Sequence, residues 1–158
     1  AQENAEASPF LNRVHITQAD VIDFSVEPFD AIACNPPYFV DSLTSPNPFR
    51  TLARHVGSLT YHVLMQSVKR LLTDEGLFSI VIPVDYRSQL LSDAALSDLV
   101  LSRECAVKTT PEKAPKRCLM EFRKHPVTYV DSTIETLESH PGQRSDRYHN
   151  LTKEFYLK

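Results

Sequence analysis

Glycine is scarce in this sequence, which has three in 158 residues, at Gly57, Gly76 and Gly142. A glycine-rich cofactor loop needs several glycines close together, because its backbone takes positive φ angles and approaches the ligand closely. Three glycines this far apart cannot form a Gly-x-Gly-x-x-Gly turn. The sequence therefore excludes such a loop within these 158 residues.

Cysteine is also scarce and gives no pattern of chemical use. Cys34, Cys105 and Cys118 are odd in number and scattered, without the spacing of a disulfide framework or a metal site. We expect them to be reduced residues of the core. His55 and His62 would share one face of a helix, but no third ligand is near them in the sequence. We predict no metal.

Long apolar runs are absent as well. No stretch of about 18 apolar residues could cross a membrane, and residues 1–8 are polar and partly acidic, unlike a signal peptide. We therefore expect a cytoplasmic protein with no membrane segment. The length and the 42% apolar content are those of one globular domain with one core.

Charge is unevenly distributed behind the net value of −3. Residues 1–50 carry two basic and seven acidic side chains, whereas residues 103–125 carry seven basic and three acidic ones. The seven basic residues are Arg103, Lys108, Lys113, Lys116, Arg117, Arg123 and Lys124. Such a stretch is typical either of phosphate contacts, with Lys116 and Arg117 as candidates, or of a solvated hairpin. The sequence alone leaves both open.

Hydrophobic periodicity predicts alternating strands and helices, which indicates an α/β fold. We expect a helix end over residues 1–7 and a loop over 40–50. Strands are predicted at 13–19, 29–34, 77–82, 100–110 and 117–124, the last continuing at 128–130. Helices are predicted at 54–72, within 86–101 and within 146–158, and Gly76 is read as a stop signal after the first of these.

One tetrad stands out at the end of the predicted strand 29–34. Asn35, Pro36, Pro37 and Tyr38 follow that strand directly, and Phe39 comes next. The Asn35 side-chain oxygen and the Pro36 carbonyl are hydrogen-bond acceptors, and two consecutive prolines hold the backbone in one stiff, extended arrangement. Such acceptors favour the reactive form of a poorly nucleophilic amine, and Tyr38 and Phe39 offer flat faces for a base.

A simpler interpretation competes with the catalytic one. Asn-Pro and Pro-Pro dipeptides mark turns, and a turn after a buried strand would produce a similar sequence. The position favours the catalytic interpretation, because ligands of open α/β sheets bind just beyond the carboxyl ends of strands.

Several segments together resemble the bacterial tRNA1(Val) adenine-N6 methyltransferases, which modify the adenine just 3′ of the anticodon. These are Asn4-Ala5, Ser8-Pro9, Asp20, the tetrad with Phe39, the helix containing Arg54, residues 76–83 and the closing stretch 151–157. The resemblance covers nearly the whole chain. It implies a Rossmann-like class I methyltransferase sheet that ends in an antiparallel hairpin.

The resemblance also implies roles for single residues. S-adenosyl-L-methionine would be the cofactor, with Asp20 hydrogen-bonding its adenine, Val21 packing on it and Asn35 beside it. From the sequence alone, Asp20 is equally compatible with a turn-capping aspartate. The first strand, the first helix and the second strand of such a sheet would be missing. We therefore expect residues 1–158 to be one methyltransferase domain that is incomplete at its N-terminus and inactive alone.

The expected reaction is N6-methylation of an adenine in tRNA by S-adenosyl-L-methionine. Related enzymes with the same tetrad methylate a glutamine amide in release factors or a guanine amine in ribosomal RNA, so both remain alternatives. A third alternative is a non-catalytic fragment, or binding module, that keeps only the substrate half of the fold. The sequence does not indicate the oligomeric state.

Overall fold

The computed structural model describes residues 1–36 and 59–155 of the chain. The described helices are α1 (Gln2–Glu6), α2 (Tyr61–Leu71), α3 (Arg87–Leu96) and α4 (Asp146–Thr152). The described strands are β1 (Phe29–Cys34), β2 (Leu72–Pro83), β3 (Val100–Lys108), β4 (Arg117–Arg123), β5 (Asp131–Thr136), β6 (Glu138–His140) and β7 (Gln143–Arg144). The predicted loop 40–50 lies outside the described residues.

Five strands form one mixed sheet in the order β1-β2-β4-β3-β5, and β6 and β7 form a separate hairpin. The β1-β2 and β3-β5 pairs are parallel, and β4 runs antiparallel to both β2 and β3. The predicted antiparallel hairpin is therefore confirmed. Because β1 and β2 run together, their carboxyl ends meet at one edge of the sheet, which we call the carboxyl edge.

One face of the sheet carries the hydrophobic core. Alternate residues of β2 and β4 point towards α2 and α3, and they include Phe78 and Phe122, both with no exposed surface. The two phenylalanine rings lie 6.3 Å apart between centroids. The core side chains from the helices are Tyr61, Leu64, Met65, Val68, Leu90 and Ala94. Burial of this face against the amphipathic helix α2, and against Leu90 and Ala94 of α3, is the main source of stability.

The opposite face of the sheet is more exposed. Ala33 on β1 and Ser79 on β2 are exposed, and Leu119 on β4 keeps 46% of its surface accessible. Helix α4 lies beside this face, where Arg147 pairs with Glu135 of β5 at 2.5 Å between Nε and Oε1. We call this surface the open face.

The prediction of a strand over residues 13–19 is wrong. The structure has a short 3-10 helix at Leu11–Arg13 and irregular backbone from there to residue 20. Val14 and Ile16 do alternate with polar residues, but they remain 39% and 46% exposed. Alternation makes a strand only where a neighbouring strand completes the hydrogen bonds. None of the described residues provides one here.

Other element boundaries also differ from prediction. Helix α2 begins at Tyr61 because the Thr60 hydroxyl accepts a hydrogen bond from the Val63 N–H at 3.2 Å. Gly76 is not a helix stop, since α2 ends at Leu71 and Gly76 lies within β2. Residues 128–130 do not continue β4; a separate strand, β5, begins at Asp131 and pairs with β3.

Candidate active site and cationic edge

Asn35 and Pro36 stand at the carboxyl edge of the sheet, directly after β1. Asn35 is exposed, so a ligand can reach it. Pro36 is buried, so the protein around it holds it in position. The strand before them spans the predicted residues 29–34. Pro37, Tyr38 and Phe39 lie outside the described residues, so their predicted roles stay predictions.

Two tyrosines pack against each other near the end of β1, and Tyr61 is the buried one. Tyr61, at the first position of α2, is 2% exposed, and its ring lies 5.9 Å from that of Tyr86 between centroids. Burial, then the nearby Tyr86 and Cys34, raise the pKa of Tyr61 to about 12. Burial likewise raises the pKa of the Cys34 thiol. Cys34 is therefore a neutral side chain next to Asn35, and we assign it no nucleophilic role.

Asn35 also lines an open cavity of about 700 Å³ on the open face. The floor is formed by small or apolar side chains such as Ala33, Ser79 and Leu119. Charged residues at its rim are paired, with Arg147 on Glu135 and Arg103 on Asp131. The exposed amide of Asn35 therefore faces space that a ligand can enter.

The fold brings one half of the basic stretch to the same edge as Asn35. Arg117 at the start of β4 pairs in register with Pro83 at the end of β2. The Lys116 carbonyl accepts a hydrogen bond from the Val84 N–H at 3.1 Å, and the Lys116 N–H donates to the Val107 carbonyl at 2.9 Å. Residues 109–116, which connect β3 to β4, therefore lie at the carboxyl edge. We call them the basic loop.

The other half of the basic stretch lies away from this edge and is paired with acids. Because β4 runs antiparallel to β2, its last residue, Arg123, lies at the end where β1 and β2 begin. Arg123 pairs with Glu121 at 3.8 Å, and Lys124 pairs with Asp74 at 3.1 Å. The solvated-hairpin interpretation therefore fits Arg123 and Lys124. Lys116 and Arg117 lie at the carboxyl edge, where Asn35 and Pro36 also lie.

Asp20 takes part in its own turn. Its carboxylate accepts a hydrogen bond from the Ile22 N–H at 3.0 Å, which is the turn-capping role. Arg70 donates to the carbonyls of Val21 and Ile22 at 3.1 and 3.0 Å. The cofactor roles of Asp20 and Val21 stay predictions.

Sequence reasoning missed the β6-β7 hairpin at the carboxyl edge. The Pro141-Gly142 dipeptide at its turn is the signal that could have revealed it, since this pair marks turns. Gly142 has a φ of +82°, which a side chain would disfavour. Arg144 at its end places a further cation near the basic loop.

The described part of the chain contains no group of three or more histidine, cysteine or acidic side chains that could hold a metal ion. Within the same residues, no helix is both long and apolar enough to span a bilayer.

Two curated proteins similar to this chain share one description. A tRNA1(Val) (adenine(37)-N6)-methyltransferase of Parabacteroides distasonis is 37% identical over 161 residues, covering 100% of this chain and 68% of its own length. A protein of the same description from Phocaeicola vulgatus is 41% identical over 158 residues, covering 99% and 67%. The chain belongs to the tRNA1(Val) (adenine(37)-N6)-methyltransferase family. It spans about two thirds of the length of these family members.

The fold agrees with this family. A predicted O-methyltransferase from Agrobacterium tumefaciens superposes on 96% of this chain and 66% of its own, with a TM-score of 0.65 and 13% sequence identity. At that identity the likeness concerns the fold alone, which confirms the predicted methyltransferase sheet. No protein-family model matches the chain.

Proposed function

We propose that this chain carries the substrate side of an enzyme that methylates N6 of an adenine in tRNA, next to the anticodon of tRNA1(Val). One observation carries the proposal: the exposed Asn35 amide and the anchored Pro36 share an edge of the sheet with Lys116 and Arg117. Acceptors for an amine therefore stand beside cations for a phosphate backbone. Membership of a family described by this reaction supports the substrate.

Asn35 and Pro36 would act on the target amine as acceptors. The exocyclic nitrogen of adenine is a weak nucleophile, because its lone pair is delocalised into the ring. Hydrogen bonds from its two N–H groups to the Asn35 side-chain oxygen and the Pro36 carbonyl would favour the pyramidal form that attacks. Fixed acceptors need no reorganisation during the reaction, which is where their catalytic benefit lies. The stacking roles of Tyr38 and Phe39, and the catalytic role of Pro37, are part of this proposal.

S-adenosyl-L-methionine, when bound, supplies an electrophilic methyl group. The described residues fit the amine side of such a site, but not its donor side. The three glycines of the sequence cannot build a glycine-rich turn, and the Asp20 carboxylate is engaged in its own turn. We propose that Asp20, through the carboxylate oxygen that does not cap the turn, hydrogen-bonds the cofactor adenine, that Val21 packs on it and that Asn35 lies beside it.

We further propose that residues 1–158 are one methyltransferase domain that is incomplete at its N-terminal side and inactive alone. Two observations support this. Strand β1 has no neighbour on its outer edge among the described residues, and the open face carries exposed apolar residues such as Leu119. Unpaired edges and exposed apolar faces are ordinarily covered in a complete domain. Location in the cytoplasm and binding of tRNA without a metal belong to the same proposal.

Donor binding separates an enzyme from a fragment. Titration of the 158-residue chain with S-adenosyl-L-methionine by calorimetry should show weak or no binding. The same titration of a fusion, in which the part of the Parabacteroides distasonis relative that this chain does not span is joined in front of this chain, should show tight binding. We call that fusion the joined enzyme. Tight binding by the 158-residue chain itself would disprove the fragment interpretation.

Substrate class is tested with a labelled methyl group. The joined enzyme is incubated with radiolabelled S-adenosyl-L-methionine and, separately, with unmodified tRNA, ribosomal RNA and release factor. We expect label in tRNA alone. Label in release factor but not in tRNA would favour the glutamine alternative, and label in ribosomal RNA would favour the guanine alternative.

A further inference from the structure

The β6-β7 hairpin is a small, well-defined projection at the carboxyl edge. Strand β6 (Glu138–His140) and strand β7 (Gln143–Arg144) are joined by a two-residue turn, Pro141-Gly142. The Glu138 carboxylate accepts a hydrogen bond from the Gly142 N–H at 2.9 Å, which closes the turn from inside. Hydrogen bonds within the hairpin therefore stabilise its conformation.

Backbone hydrogen bonds attach this hairpin to the start of the basic loop. The Leu137 N–H donates to the Lys108 carbonyl at 3.0 Å, and the Glu138 N–H donates to the Thr109 carbonyl at 2.9 Å. On the other side, the Ser145 N–H donates to the Leu137 carbonyl at 2.8 Å. The hairpin and the basic loop thus form one continuous surface.

Side chains of the two elements also lie within electrostatic range of one another. The pKa of Glu112 is lowered, first by hydrogen bonds from its backbone and from the Thr110 side chain, and to a smaller extent by the nearby His140 and Lys108. His140 of the hairpin is therefore close to the basic loop. The acids of this surface, Glu112 and Glu138, already accept hydrogen bonds from within it.

Arg144 is the residue of the hairpin that is always positively charged. It is exposed, and its Cζ atom lies 6.0 Å from the centre of the Tyr148 ring, which belongs to α4. At this distance the guanidinium is at the outer limit of a cation–π attraction to the ring, and its planar fork of N–H donors suits it to a phosphate. Tyr148 is itself held at the start of α4, where its N–H donates to the Ser145 hydroxyl at 3.2 Å.

We infer that the β6-β7 hairpin is a second RNA-contact element beside the basic loop, and that Arg144 contacts a backbone phosphate of the RNA. The inference rests on the proposed function and names a part of the substrate surface beyond Lys116 and Arg117. RNA stems are recognised through phosphate and ribose contacts rather than through their deep major groove. Two elements joined by backbone hydrogen bonds, which place Lys113, Lys116 and Arg144 on one surface, suit that kind of substrate.

The test measures salt-dependent binding of an unmodified tRNA1(Val) transcript to the 158-residue chain by fluorescence anisotropy, without cofactor. Arg144→Gln is compared with Lys124→Gln, which removes the same charge from the opposite end of β4. The slope of log K against log salt is negative, and each lost phosphate contact makes it shallower by about 0.7 to 0.9. We expect that loss for Arg144→Gln, with several-fold weaker binding, and an unchanged slope for Lys124→Gln.

Arg144→Lys distinguishes a phosphate contact from a structural role. If Arg144 contacts a phosphate, Arg144→Lys should keep most of the salt slope of the unaltered chain. If Arg144 acts only through its contact with Tyr148, the Arg144→Lys slope should stay as shallow as that of Arg144→Gln, which would overturn the inference. An Arg144→Gln slope equal to that of the unaltered chain would overturn it too. Failure of the unaltered chain to bind the transcript would remove both this inference and the proposed function, whereas the variant outcomes concern the hairpin alone. Thermal unfolding checks that each variant is folded.

Discussion

At the scale of single residues, the proposed chemistry depends most on Asn35. Its amide is exposed at the end of β1, whereas its neighbours Cys34 and Pro36 are half-buried and buried. A side chain in this position can reach a ligand while the backbone beneath it stays fixed. Sequence reasoning identified Asn35 because the tetrad directly follows the short apolar run 29–34, which can be recognised locally.

Asn35→Ala in the joined enzyme should lower kcat by about 100- to 1,000-fold, the usual effect of losing one fixed hydrogen-bonding group in an active site. Binding of tRNA should change little, because Asn35 is not a phosphate contact. Asn12→Ala, at an exposed asparagine in the N-terminal 3-10 helix, is the control. Steady-state methyl transfer gives kcat, and an unchanged value would remove Asn35 from the mechanism.

Tyr61→Phe tests the packing behind the tetrad through the pH dependence of stability. The pKa of Tyr61 is about 12 in the folded chain, above the value of about 10 of an unperturbed tyrosine. The unfolded chain therefore loses this proton first, so stability is full below about pH 10 and falls as the pH rises towards 12. Tyr61→Phe should show a shallower fall in the free energy of unfolding over that range.

Urea unfolding at pH 8, 10 and 11 measures this difference. Tyr129→Phe, at a tyrosine that is 78% exposed, should keep the slope of the unaltered chain. Identical slopes for Tyr61→Phe and the unaltered chain would mean that the buried phenol does not control alkaline stability.

At the scale of elements, strand β2 begins at Leu72, before the predicted start at residue 77. It pairs Leu72 with Phe29 and Leu77 with Ala31, so the ladder is irregular between them. Gly76 lies in this irregular stretch, where a Cβ atom would come within 2.7 Å of the Leu72 Cγ atom. Glycine is therefore required here by a side-chain contact, which no local pattern reveals.

Gly76→Ala should destabilise the chain by about 1 to 3 kcal/mol, because Leu72 is 1% exposed and cannot move aside freely. Ser79→Ala, at an exposed position of the same strand, should change stability by no more than about 0.5 kcal/mol. Urea unfolding compares the two. A neutral Gly76→Ala would show that the Leu72 side chain can repack.

The basic loop and the far end of β4 should differ in RNA binding although both belong to one basic stretch. Lys116→Ala with Arg117→Ala should weaken binding of a tRNA transcript and lower its salt slope by about 1 to 2. Arg123→Ala with Lys124→Ala should leave the slope unchanged, because these cations are paired with acids at the opposite end of the sheet. Equal slopes for the two double variants would make the whole stretch a solvated hairpin.

At the scale of the whole molecule, topology decides which predictions succeed. Lys116 and Asn35 are far apart in sequence, and only the antiparallel insertion of β4 beside β2 brings them to one edge. The strand expected at residues 13–19 is absent for the converse reason, since its alternating pattern has no neighbouring strand among the described residues. Local patterns predicted β1 and the whole of β4, whereas pairing between distant segments could not be read from them.

Mapping the methylated nucleotide tests the central claim most directly. The joined enzyme is incubated with S-adenosyl-L-methionine and an unmodified tRNA1(Val) transcript, and the RNA is digested and analysed by mass spectrometry. We predict N6-methyladenosine at the adenine just 3′ of the anticodon, and no methylation of a transcript with guanine at that position. Methylation at another nucleotide, or equal methylation of both transcripts, would contradict the account.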